Sequence, residues 1–232
     1  MSRFCRHSAM VAVLSMACAM TSGAWAVPLA DISNVETGNG LKAALEKGAQ
    51  GAVSKLGAQN GFLNNDKVKI QLPGILEQAR PILKMTGRGA QLDELVVSMN
   101  RAAEAAVPMA KPLLIDAVKS MSFTDAKNIL MGGDTSVTDF FREKTSAQLA
   151  VKFLPVVKNV TDRSNLSTKY NGVIGQIVKL GIVKDQATVE QYVTQRALAG
   201  LYTMIAEEEK AIRRDPIGSG SKLIGKVFGA LR

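Results

Sequence analysis

The chain has 232 residues, 29 Lys and Arg against 20 Asp and Glu, and a formal charge of +9. Its two Cys, one His and one Trp all fall before residue 26, so nothing downstream can build a Ser-His-Asp or Cys-His nucleophile system, or a zinc, copper or haem site that needs His or Cys. The basic residues are scattered and the aromatics are few, which speaks against nucleic acid and for a solvated basic surface or attraction to anionic envelope groups.

The N-terminus reads as a secretory signal. Arg3 and Arg6 precede an apolar run from Ala9 to Met20, Gly23 breaks it, and Ala24-Trp25-Ala26 is the small-x-small pattern of a cleavage site. The run is too short to span a bilayer. Cleavage after Ala26 would remove Cys5, His7, Cys18 and Trp25 and leave 27 basic against 20 acidic side chains on about 206 residues. That protein is expected in the periplasm, with no disulfide and no cofactor. A second reading takes Cys18, preceded by Ser15-Met16-Ala17, as a lipid-attachment cysteine. No later stretch has the length and apolarity of a membrane span.

Helical periodicity dominates the remainder. Ser33 and Glu36 have capping-box spacing, and Leu41, Leu45, Ala49, Ala52, Val53 and Leu56 recur behind them at helical intervals, with Gly57 as the stop. Gly61-Phe62-Leu63-Asn64-Asn65-Asp66 is rich in turn formers. Val68 to Leu72 alternates and reads as extended, closed by Pro73. A helix kinked before Pro81 follows, running to about Met85. Leu92, Leu95, Val96, Met99, Ala103 and Ala106 then make one stripe, and Pro108 ends that helix and opens its successor, which runs to about Met121.

Ser122 to Asp125 caps a short helix ending at Gly132-Gly133. The next helix starts near Thr135, is expected to break around Pro155, and is followed by a surface loop from Thr161 to Thr168. Thr188 and Gln191 form a second capping box, opening what reads as the longest helix. Its apolar residues cover two faces, as in a helix at the centre of a bundle. The expected architecture is all-α: one compact bundle of about eight or nine helices over 27–217, with one short extended segment after the first helix. Residues 218–232 read as a Gly-Ser linker and an amphipathic helix docked on the domain, whose basic side could alternatively touch a membrane surface.

Several polar residues are candidates for a site. Asn100 and Glu104 are one turn apart, with Arg101 about 60° from Glu104 around the helix. They form either a pocket in which Arg101 binds an anion or a network pinning helices together. Arg196 and Glu207 fall within about 20° of each other on the last long helix. If buried, they need partners, for which Arg142 and Asp116 are candidates. Glu208 and Arg213 complete the set. Glu104 with Glu207 or Glu208 could be the carboxylate pair of a glycan hydrolase. Asn64, Asn65 and Asp66 lack the alternating ligand pattern of a calcium loop.

The segment Ser98 to Ala106 resembles the bacterial family known as domain of unknown function 4197. Gly61 to Asn65 resembles that family's early loop. Asp139-Phe140-Phe141-Arg142 and Thr145 resemble its Tyr-Phe-Arg…Thr motif, with Phe140 in place of Tyr. Tyr192-Val193-Thr194, Ile205 to Glu209, Ile212-Arg213 and Asp215-Pro216 resemble its C-terminal signature, and Lys226 to Gly229 its ending. The resemblance implies an exported, largely helical protein and no particular activity. The expected role is binding of a small molecule, lipid or envelope component without catalysis.

Overall fold

The computed structural model describes residues 34–179 and 188–215. The signal segment with Cys18, the serine of the first capping box, the Gly-Ser linker and the amphipathic tail lie outside the described residues. Within them the chain forms eight α-helices and no strand: α1 (Asn34–Gly57), α2 (Gly74–Met85), α3 (Gly89–Ala106), α4 (Ala110–Lys119), α5 (Phe123–Met131), α6 (Ser136–Arg163), α7 (Leu166–Lys179) and α8 (Val189–Arg214). A single 3-10 turn, Val107–Met109, joins α3 to α4 around Pro108. No helix among the described residues is long and apolar enough to cross a membrane.

Helix α8 is the hub, packed against α1, α3, α6 and α7. Both of its apolar faces are used: Val189, Val193, Ala197 and Leu201 are buried, and so are Tyr202, Met204 and Ile205. The stripes read from α1 and α3 are buried along their whole length. Phe62, Phe141 and Phe153 are fully buried, each removing enough apolar surface to stabilise the fold by up to about 3 kcal/mol. The two internal capping boxes form as spaced. Ser122 accepts from the Asp125 N–H and Thr188 from the Gln191 N–H, with each partner side chain reaching back to the cap's own N–H.

Three expectations need correction. Pro155 does not break α6, which runs unbroken for 28 residues and so exceeds the 26 of α8. A proline disturbs the carbonyl four residues back. Here that residue is Val151, which is exposed, so the distortion faces water and leaves the buried face of Leu149, Phe153 and Val157 intact. Thr161 to Thr168 is not a loop but the junction of two helices. Only Ser164 and Asn165 interrupt them, Asn165 taking the left-handed conformation (φ 50°) that asparagine tolerates.

The alternating run at 68–72 is correct in pattern but forms no strand. Val68, Ile70 and Leu72 point inward and Gln71 outward, without a neighbouring strand. The Asn100 side chain substitutes for one at a single residue. Its Oδ1 accepts from the Ile70 N–H at 2.9 Å, and its Nδ2 donates to the Ile70 carbonyl, also at 2.9 Å. An amide side chain carries the same donor and acceptor as a peptide group, so one asparagine satisfies both backbone groups of Ile70.

Candidate functional site

The buried polar groups gather into two clusters, each built around a carboxylate. In the first, α3 holds the connection between α1 and α2. Glu104 is 5% exposed. Its Oε1 accepts from the backbone N–H of Phe62 (3.1 Å) and Leu63 (3.2 Å), and its Oε2 accepts from Arg101 (2.6 Å). Arg101 also donates to the Asn60 side chain at 2.7 Å, across a residue whose φ of 69° is left-handed.

The loop fits because its next residue has no side chain. A Cβ on Gly61 would lie 2.3 Å from the Lys55 carbonyl oxygen. Phe62 then seats its ring on Gly200 of α8, where a Cβ would come within 2.6 Å of it. One turn before Glu104, Asn100 grips the same connection at Ile70 and also donates to the Val96 carbonyl at 2.7 Å. Asn100, Arg101 and Glu104 are therefore brought to one loop, at two points along it, and each is hydrogen-bonded to protein partners.

The second cluster centres on Glu209, a residue that the sequence reading did not single out. It too is 5% exposed. Oε1 accepts from the Val137 N–H (3.1 Å) and Oε2 from the N–H and hydroxyl of Thr138, both at 3.1 Å. These donors belong to the first turn of α6, whose N–H groups have no partner inside the helix. A carboxylate there also meets the positive end of the helix dipole. Arg213, one turn on, donates to Glu209 from Nε (3.1 Å) and Nη2 (3.0 Å), to the Ile129 carbonyl at the end of α5 (3.1 Å) and to the Ser136 hydroxyl (2.7 Å). The i,i+4 spacing of Glu209 and Arg213 was visible in the sequence. Their burial against two helix ends was not.

The other expected pairings do not form. Arg196 and Glu207 share a helix face without meeting. Glu207 pairs with Lys67, whose ammonium holds its carboxyl below the usual range. Glu208 pairs with Lys55. Arg142 donates to Asp139 at 2.9 Å and lies over the Tyr202 ring, and Asp116 is exposed on α4. The sequence expectation fails because equal angle on a helix fixes direction only, while neighbouring elements decide which partner is reached. Tyr202 shares a hydrogen bond with the buried Thr145 hydroxyl (3.0 Å), and burial pushes its phenol above the ordinary range. Burial also opposes the charge on Glu190. The hydroxyls of Ser167, Thr188 and Thr161 outweigh it and hold that carboxyl below its usual range.

A polar concavity remains on the surface, a groove of about 400 Å³ between residues 67–74 and one face of α8. Arg196 is at its edge, exposed, with its guanidinium carbon 5.2 Å from the centre of the Tyr192 ring. Tyr192 is itself fixed, its hydroxyl donating to the Gln71 carbonyl at 2.9 Å. Lys67 and Lys69 stand opposite. Of these four residues, only Arg196 is a candidate site residue from the sequence. Lys69 and Tyr192 could have been paired with it only by knowing that the segment after α1 lies along α8. Among the described residues no cluster of three or more Asp, Glu, His or Cys has a metal-binding arrangement.

A family model described as "Protein of unknown function (DUF4197)" matches residues 31–229. No curated protein and no solved structure matches the chain.

Proposed function

The chain belongs to the DUF4197 family, whose description assigns no activity, and from that premise we propose that it acts by binding: an exported helical protein that holds a ligand or an envelope partner without catalysing a reaction. The observation that carries this reading is the state of its acidic groups. Glu104 accepts two backbone N–H groups and a guanidinium, and Glu207 and Glu208 each face a lysine. A general acid needs a carboxyl raised towards neutrality and free to reach the leaving group. Engagement by these donors instead holds each carboxylate in place, away from a leaving group, and for Glu207 the Lys67 ammonium also holds the carboxyl below its usual range. Export is supported by the leader pattern of residues 1–26.

The test has two readouts. Native mass spectrometry of gently purified protein should show a retained small molecule or lipid. Peptidoglycan turnover in cells should be unchanged when Glu104→Gln or Glu207→Gln protein replaces the wild type. A loss of turnover caused by either variant, with its fold intact by circular dichroism, would overturn the non-catalytic reading in favour of a hydrolase.

A further inference from the structure

We infer that the groove between residues 67–74 and α8 is a binding site for a phosphate group carried on a small organic body. This rests on the binding role proposed above and assigns it a place and a ligand chemistry. The groove has the volume of a small-ligand site, about 400 Å³. No Asp or Glu lines it among the described residues, whereas Lys67, Lys69 and Arg196 do. Lys67 is shared with Glu207, which stands outside the lining. Lys69 and Arg196 make no ion pair among the described residues, so two cationic groups remain available to an incoming anion.

Arg196 is more than a surface charge. Its guanidinium lies on the face of Tyr192, and Tyr192 is tied by its hydroxyl to the backbone of Gln71. The two contacts restrict the ring, and the ring restricts the guanidinium. Stacking uses the flat face of the guanidinium and leaves its N–H edge free to fork onto an oxyanion. Holding that group before binding lowers the entropy lost when an anion arrives.

Two available cations, with a third nearby, match a phosphate, which can carry two negative charges and three acceptor oxygens, better than a single carboxylate. The floor of the groove matches the rest of the molecule. Between the cations the lining includes Ala199 and Thr203 of α8 and the backbone of residues 68–72, whose Val68, Ile70 and Leu72 side chains turn into the core, so a short organic body meets this mixed surface while its phosphate meets the cations.

The same phosphate chemistry could arrive on a soluble phosphomonoester or on a lipid headgroup, and two probes separate these sources. The full chain is titrated with glycerol 3-phosphate by calorimetry, and with vesicles of phosphatidic acid in phosphatidylcholine by co-sedimentation. The groove variant is Lys69→Glu with Arg196→Glu. A control of equal charge change reverses two exposed lysines elsewhere, Lys111→Glu with Lys152→Glu. Both are checked by circular dichroism and thermal melting.

The expected result is that the wild type binds one of the two probes and that the groove variant weakens it at least tenfold, while the control changes it less than threefold. Binding of glycerol 3-phosphate alone identifies a soluble ligand, and binding of the vesicles alone a headgroup. Failure of the wild type to bind either probe overturns the inference, and so does equal weakening in the groove variant and the control. A co-purified molecule still retained by the groove variant would overturn the groove while leaving the binding role standing. Altered glycan turnover in the carboxylate variants would remove that role instead.

Discussion

Helix α8 treats its charges differently at its two ends. Towards the C-terminus Glu207, Glu208 and Glu209 follow one another, and each meets a different cation: Lys67, Lys55 and Arg213. Towards the N-terminus Arg196 has an aromatic face beside it and no carboxylate among the described residues. At the first end Glu208 lies against α1 and Glu209 is buried against the start of α6, where a charge must be compensated or it costs several kcal/mol. The second borders a groove open to water, where a cation can stay available. What separates the two is whether folding consumes the charge. Glu207 and Glu208 are candidates for chemistry from the sequence, yet at this end of α8 each acidic group is paired with a cation, and the group left available at the other end is the basic Arg196.

The largest effect that could break this comparison is at Glu209. Alanine there leaves the first turn of α6 without its acceptor and removes the carboxylate beside Arg213, which is only 15% exposed. Breaking a buried ion pair by removing one partner costs about 3–5 kcal/mol. Glu209→Ala should therefore lower the unfolding free energy, read from urea denaturation, by an amount of that size. A loss under about 1 kcal/mol, the worth of an exposed ion pair, would mean that the charges at this end of α8 matter no more to folding than those of the groove.

A smaller effect is expected between the two ends, at Tyr202. Burial raises its phenol pKa in the folded protein above the unfolded value of about 10. The folded state then keeps a proton that the unfolded chain releases. Its contribution is complete below about pH 10 and is lost as pH rises from there through the folded pKa. Denaturation midpoints should fall with pH on the alkaline side, and less steeply for Tyr202→Phe than for the wild type. Identical alkaline slopes would mean that the Tyr202 environment does not couple to stability.

The smallest effect sharpens the comparison from the other side. Because Lys69 and Arg196 take part in no ion pair among the described residues, reversing both should shift folding stability by no more than about 1 kcal/mol per site, the worth of the exposed Arg196–Tyr192 stack. A larger loss, read from the same urea curves, would show that folding consumes the groove cations just like those near Glu209.

Much of the fold was legible in the chain itself. The buried stripes of α1, α3 and α8, the internal capping boxes and the turn-rich stretch around Gly61 are local features, set by periodicity and by side chains reaching three residues along the chain. Pro155 and the Thr161–Thr168 stretch misled because breaker residues were read without knowing which side of the helix faces water. At the candidate site, the Arg101–Glu104 pair was legible from its i,i+3 spacing. The lysines of Glu207 and Glu208 were not, since each lies more than a hundred residues away in the chain.

That this is an all-α protein of the DUF4197 family, with α8 at its centre and without His or Cys after residue 18, follows from the amino-acid sequence alone. Those are properties of composition and of periods a few residues long. What the charges do follows from the three-dimensional packing. Whether a carboxylate caps a distant helix, as Glu209 does, holds a loop, as Glu104 does, or balances a surface lysine depends on which backbone donors are packed against it. The energy of a charge is set by its surroundings within a few ångströms, and those surroundings are assembled from segments far apart in the chain.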